Sequence, residues 1–205
     1  QEGYATFAAG KWHLAPMEEA STAGPFDNWP LQRGFDRFYG FLQGETDQFH
    51  PELTYDNHPV EPPCGPDEGY HLSEDIVDQS MAFIRDSTSI RPDRPFFLYL
   101  AFGSTHSTHQ AHQEFIEKYR GRFDEGWDVV REKWYRRQIE MGVIPEDTEL
   151  APRNPGVRPW DALSENEKKF ALRLQEAFAA MLDHTDQQVG RLIDFLEDME
   201  QIDNT

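Results

Sequence analysis

Basic residues are scarce in this chain: 19 Lys and Arg stand against 38 Asp and Glu over 205 residues, a formal charge of −19 with eight His counted as neutral. A protein that neutralises phosphates must present a basic face, so this deficit excludes a general nucleic-acid binder. Anionic small molecules stay possible where a few cations gather in one pocket. Cysteine is nearly absent too. The single Cys64 sits in the turn-rich run Pro62-Pro63-Cys64-Gly65-Pro66, which permits no internal disulfide and no CxxC metal knuckle, and leaves the compartment open. No stretch approaches the ~20 consecutive apolar residues of a membrane span, and the N-terminus lacks the basic, apolar, small-residue series of a signal peptide. Gly-rich phosphate loops, a Gly-x-Ser-x-Gly elbow and nucleotide fingerprints are also missing.

What is present suffices for a core, since 38% of the residues are apolar and 13% aromatic. The chain opens at Gln1 without Met and closes on Asp203-Asn204-Thr205 just after a long helical pattern, and so reads as a piece of something larger. Tyr4 to Ala9 is a short apolar run ending at Gly10, the pattern of a buried strand that stops where its backbone must turn. Phe35 to Leu42 suits a strand or a strand and turn. From Gln43 to Tyr70, prolines 51, 59, 62, 63 and 66 cut every candidate element, and a loop is expected.

A helix is predicted over 73–87, with Ser73 as cap, Leu72 and Val77 as a hydrophobic staple, and Ile76, Val77, Met81, Phe83 and Ile84 on one apolar side. Phe96 to Phe102 is a continuous apolar run, as expected of a central parallel strand covered on both faces. Charged helices are predicted over 113–120 and 126–142, followed by a Pro-rich connection. Ser164-x-x-Glu167 is a capping box that opens a long amphipathic helix. Helix followed by buried strand points to α/β architecture.

Two segments could carry chemistry. In Gly10-Lys11-Trp12-His13 a cation and a titratable imidazole lie two residues apart at a strand end, where α/β folds collect ligands; Lys11 could hold an oxyanion and His13 move a proton. In Thr105-His106-Ser107-Thr108-His109-Gln110-Ala111-His112, three histidines at spacing three invite a zinc reading. Helical placement would spread the third ring away, so a loop with one functional His is the better reading. Asp183 and Asp186, with His184 between them, read as a solvated helical face rather than a carboxylate dyad. Cys64 lacks a basic context and reads as an ordinary loop thiol.

With these residues in hand the sequence resembles a type I arylsulfatase of the alkaline phosphatase superfamily. Gly3-Tyr4-Ala5-Thr6 followed by Gly10-Lys11-Trp12-His13-Leu14 is similar to the second sulfatase signature. Gly34-Phe35-Asp36-Arg37-Phe38-Tyr39-Gly40-Phe41, Tyr55-Asp56-Asn57, and Pro95-Phe96-Phe97-Leu98-Tyr99 leading into Thr105-His106-Ser107-Thr108-His109-Gln110 support it. The resemblance implies an incomplete alkaline-phosphatase-like sandwich with a mainly parallel central sheet flanked by helices. It makes residues 1–205 the central part of one catalytic domain, with a helical and loop insertion at about 111–163.

The resemblance also implies sulfate ester hydrolysis by a formylglycine nucleophile made from Cys or Ser, with one calcium ion polarising the sulfate. Lys11 would contact sulfate, His13 would pair with the formylglycine hydroxyl, and His106 would sit on the leaving-group side as sulfate ligand or proton donor. Such cations and donors belong where charge develops on a sulfuryl group losing an aryloxide. The family's Cys/Ser-x-Pro-Ser-Arg motif is nowhere in this sequence, and Cys64 is not it. The paired N-terminal aspartates and the Asp-Asn calcium ligands are missing as well, so this piece by itself is expected to bind calcium poorly and hydrolyse nothing. Thr108 and His112 replace prolines usual in the subgroup, and the roles of His109 and His112 stay open. Phosphonate monoester or phosphodiester hydrolysis on the same fold, or a non-catalytic remnant, are the alternatives.

Overall fold

A computed structural model describes residues 3–205, in two compact units. One comprises the described residues up to Ala111 together with Met181–Thr205; the other is His112–Ala180. The first holds a five-stranded sheet in the order β4-β3-β2-β1-β5. Its strands are β1 (Ala5–Lys11), β2 (Arg37–Phe41), β3 (Leu53–Tyr55), β4 (His58–Val60) and β5 (Phe96–Ala101). β1 pairs in parallel with both β2 and β5, while β3 and β4 complete one side as an antiparallel hairpin. The architecture is α/β, as expected, but the sheet is mixed rather than mainly parallel, with two strand pairings parallel and two antiparallel.

Helix α1 (Leu72–Ile90) covers one face. Its Leu72, Ile76 and Phe83 pack with Ala5 and Phe7 of β1 and with Tyr39 and Phe41 of β2. The opposite face carries Ala8, Trp12, Trp29, Phe38 and Leu42. Alternation along β1 and β2 feeds both clusters, the period-two consequence of a strand buried on two sides. The last part of α4 (Glu165–Asp198) adds Leu192 and Leu196 against Val77 and Ile84 of α1. There Arg191 donates to Asp78 at 2.6 Å.

The unit 112–180 holds α2 (Gln113–Tyr119), α3 (Gly126–Glu140) and the beginning of α4. Trp127 and Trp160 meet edge to face at 5.0 Å, and Gly126 (φ 79°) leaves room for Trp160, whose ring atoms would lie within 2.4 Å of a Cβ. Glu167 accepts the Ser164 amide at 2.8 Å, so the capping box forms as expected.

Three local expectations are corrected. Residues 43–70 are not all loop: β3 and β4 form there, because Asp56 adopts φ 55° to turn the hairpin and Pro59 sits on the edge strand, where its missing N–H costs no ladder bond. The α1 cap is His71, whose Nδ1 accepts the Ser73 amide at 3.1 Å; Ser73 itself is helical and fully buried. β5 is an edge strand of the sheet rather than a doubly covered one, with Phe97 and Tyr99 exposed and Leu98 and Leu100 turned to the core.

One buried charge lies between helix and sheet. Asp75 of α1 accepts hydrogen bonds from the hydroxyls of Tyr39 (2.6 Å) and Tyr70 (3.0 Å), both on Oδ2. Burial raises the Asp75 carboxyl above its ordinary value despite these two donors, and burial likewise raises both phenols. An acid raised in the folded state favours folding below its unfolded pKa and loses that contribution as pH rises through its folded pKa. Asp75→Asn keeps an acceptor oxygen and removes the charge. It is expected to raise the urea midpoint at pH 7, with the gain vanishing below about pH 3.5, where the carboxyl is protonated folded and unfolded alike. A variant that is less stable than the parent at pH 7 would contradict this reading.

Candidate active site

The candidate residues lie where β1, β2 and β5 end side by side. In the ladder Gly10 faces Gly40 on one side and Ala101 on the other. Both glycines have positive φ, 99° and 154°, and a Cβ would lie 1.9 Å from the Ala101 oxygen at Gly10 and 2.0 Å from the Gly10 oxygen at Gly40. Side chains are barred at this point, so the three backbones close together and their outgoing loops start from one rim.

The ladder continues past Gly10, with the amides of Trp12 and His13 donating to Phe41 and Leu42 carbonyls at 2.9 and 3.1 Å. Trp12 is buried and its indole N–H donates to the Asn28 carbonyl at 2.8 Å. Alternation therefore turns Lys11 to the face opposite Trp12. Lys11 is half-buried, and its ammonium forms no ion pair with any described residue. His13, with left-handed backbone at φ 49°, lays its ring against Gly44, where a Cβ would stand 2.8 Å from Cε1.

His106 leaves the end of β5 through Gly103, whose carbonyl accepts the His106 amide at 3.0 Å. Its Nδ1 is 2.6 Å from the Ser107 carbonyl and 3.2 Å from Glu45 Oε2. The two imidazoles thus meet consecutive residues, 44 and 45, of the loop after β2. His109 is half-buried on the same loop as His106.

Gln110 ties these loops together. Its Nε2 donates to Asp47 at 2.7 Å, and its Oε1 accepts the Gln48 amide at 2.8 Å and the Thr108 hydroxyl at 2.9 Å. Its own carbonyl meets His71 Nε2 at 3.2 Å; because His71 Nδ1 accepts the Ser73 amide, the hydrogen sits on Nε2 and is donated to that carbonyl. Burial works against ionising Asp47. The hydrogen bonds from Gln110 and from the Phe49 and His50 amides outweigh it and hold the carboxyl below its usual value.

Sequence reasoning missed Glu45, Asp47 and Gln110, which carry no motif and act across the gap between two loops. It also misjudged His184. That imidazole is fully buried rather than solvated, 2.9 Å from Glu74 and edge-on to His71 at 4.4 Å, because its helix turns this residue toward α1. Cys64 is half-buried in the segment before α1 and carries no sulfatase nucleophile sequence. Calcium takes about six to eight oxygens, and among the described residues no three carboxylates converge. Near the rim Glu45 is engaged with His106, Asp47 with Gln110, and Glu52 with Gln43.

Gln110→Ala is expected to speed amide exchange at Phe49 and His50 by about tenfold, the worth of one net hydrogen bond. A carboxylate lowered in the folded state contributes stability above its unfolded pKa, and that contribution disappears as pH falls through the folded pKa. Protection of these amides should therefore survive acidification past about pH 4 in the parent and fail at higher pH in the variant. Equal exchange in both proteins would show that Gln110 is no staple.

A family model described as Sulfatase matches residues 1–205. An uncharacterized sulfatase of Schizosaccharomyces pombe is 33% identical over 218 residues, covering 100% of this chain and 38% of that protein. The arylsulfatase of Klebsiella aerogenes is 29% identical over 212 residues, covering 99% of this chain and 43% of that protein. The chain thus spans about two fifths of these relatives' length. Among solved structures, a putative sulfatase from Bacteroides fragilis superposes with a TM-score of 0.60 at 17% identity, over 100% of this chain and 40% of that one. With this match over all 205 residues, the chain belongs to the sulfatase family.

Proposed function

We propose that the protein carrying this chain hydrolyses sulfate esters to sulfate and an alcohol or phenol, and that Lys11, His13 and His106 converge on the sulfate. The observation that supports it is Lys11: a half-buried cation at a strand end, unpaired among the described residues of a chain with 38 carboxylates. An ammonium left without a partner in so acidic a chain is an anion receptor. The insertion at about 111–163 belongs, in this reading, to the same catalytic domain.

Sulfatases generally use a metal ion and a formylglycine. In this reading the metal would be calcium, and when bound these groups would supply charge neutralisation and the nucleophile. The chain's own residues do the rest. Lys11 Nζ neutralises the non-bridging oxygens. His13, seated on Gly44, accepts the hydrogen of the attacking hydroxyl. His106 donates a proton to the oxygen that leaves. The natural substrate is a small sulfate ester, a class the acidic surface does not restrict so long as the cation is local.

The test is turnover of 4-nitrophenyl sulfate by the full-length protein. Lys11→Ala, His13→Ala and His106→Ala should each lower kcat/KM by about 100-fold or more, the size of one general acid or preorganised charge. Preference for an aryl phosphonate or phosphodiester would move the activity to a related reaction. No turnover of any of these esters would leave a non-catalytic remnant.

A further inference from the structure

The contact between Glu45 and His106 has no role in sulfate binding by Lys11 or proton transfer by His13. It links the loop after β2 to the loop after β5. The two side chains are 63% and 50% exposed, so its worth to stability is small. Its geometry is specific all the same. The two nearest oxygens to His106 Nδ1 are the Ser107 carbonyl at 2.6 Å and Glu45 Oε2 at 3.2 Å, with the Ser107 hydroxyl farther off at 3.5 Å. At this nitrogen a carbonyl and a carboxylate can only accept, so Nδ1 carries a hydrogen and Nε2 is the atom that gains and loses the proton. Among the described residues Glu45 has no other polar partner.

The loop that presents Glu45 is fixed on both sides of it. Gly44 lies under the His13 ring, and Asp47 is bound by Gln110 and by the Phe49 and His50 amides. The glutamate is therefore held by the same short segment that seats the other imidazole. Its partner ring lies in the loop that Gln110 ties down.

We propose that Glu45 is a positioning residue that fixes the ring of His106 with its Nε2–H toward the leaving-group oxygen, and so sets how well the enzyme handles poor leaving groups. The inference rests on the sulfate ester reading. As the bond between sulfur and the leaving oxygen breaks, its electron pair goes to that oxygen, which takes the Nε2 proton, and the sulfuryl group passes to the oxygen nucleophile. His106 is left neutral with its hydrogen on Nδ1, still held by Glu45 and Ser107. A leaving oxygen that is a good anion needs this proton little; a basic alkoxide or phenoxide needs it most.

The experiment is a leaving-group series on the full-length protein, comparing phenyl sulfate with 4-nitrophenyl sulfate and more acidic phenols. Glu45→Ala should lower kcat about tenfold or more on phenyl sulfate and less than about threefold on the most acidic phenol. KM and the urea midpoint should not change. Glu45→Gln, which retains an acceptor oxygen, should recover part of the loss. Equal losses across the series, or none, overturn the inference while wild-type turnover keeps the sulfatase reading. Inertness of the wild type toward every sulfate ester overturns both. Independently of turnover, the long-range ¹H–¹⁵N spectrum should show neutral His106 with its hydrogen on Nδ1, and a hydrogen on Nε2 instead would contradict the geometry.

Discussion

The contact of three backbones at Gly10, Gly40 and Ala101 is the constraint on which the rest of the site depends. Parallel strands send all their outgoing loops to the same end of a sheet, which makes that end the natural place for a ligand. Here the strands close further at their ends, because the two glycines leave no side chain to hold them apart. Lys11 and His13 leave from β1, Gly44 and Glu45 from β2, and His106 from β5. The loops that carry these residues therefore start from one end of the sheet.

Rigidity at the rim comes from polar groups rather than apolar packing. Trp12 anchors the first segment by burial, but the second and third loops are joined by Gln110 and Asp47, each satisfying several partners at once. A network of this kind fixes geometry through direction, which a hydrophobic contact does not. The His13 and His106 rings remain at the surface, while Asp47 and Gln110 are half-buried.

The parts of this structure legible in the sequence are those set by local pattern. The apolar runs at Tyr4, Phe35 and Phe96, the amphipathic spacing of α1 and α4, and the Ser164-x-x-Glu167 box report on a few neighbouring residues, and each became the expected element. The β3-β4 hairpin was hidden because proline usually ends strands, and its tolerance at Pro59 depends on β4 being an edge, a tertiary fact. The exposed face of β5 is likewise set by which strands lie beside it. His184 was misjudged because a helix face that carries Asp183 and Asp186 reads as wet until the helix packed against it is known. Among the candidate residues, Lys11, His13 and His106 carried a signal in the sequence, as strand-end residues with motif support. Glu45, Asp47 and Gln110 were not, since a carboxylate or amide in a loop has no signal until its partner, some sixty residues away, is in place.

The structure of the full-length protein with bound sulfate or vanadate tests the central claim most directly. The oxyanion should lie within hydrogen-bonding distance of Lys11 Nζ and of ring nitrogens of both His13 and His106. An oxyanion bound elsewhere, with these three side chains facing separate cavities, would contradict it.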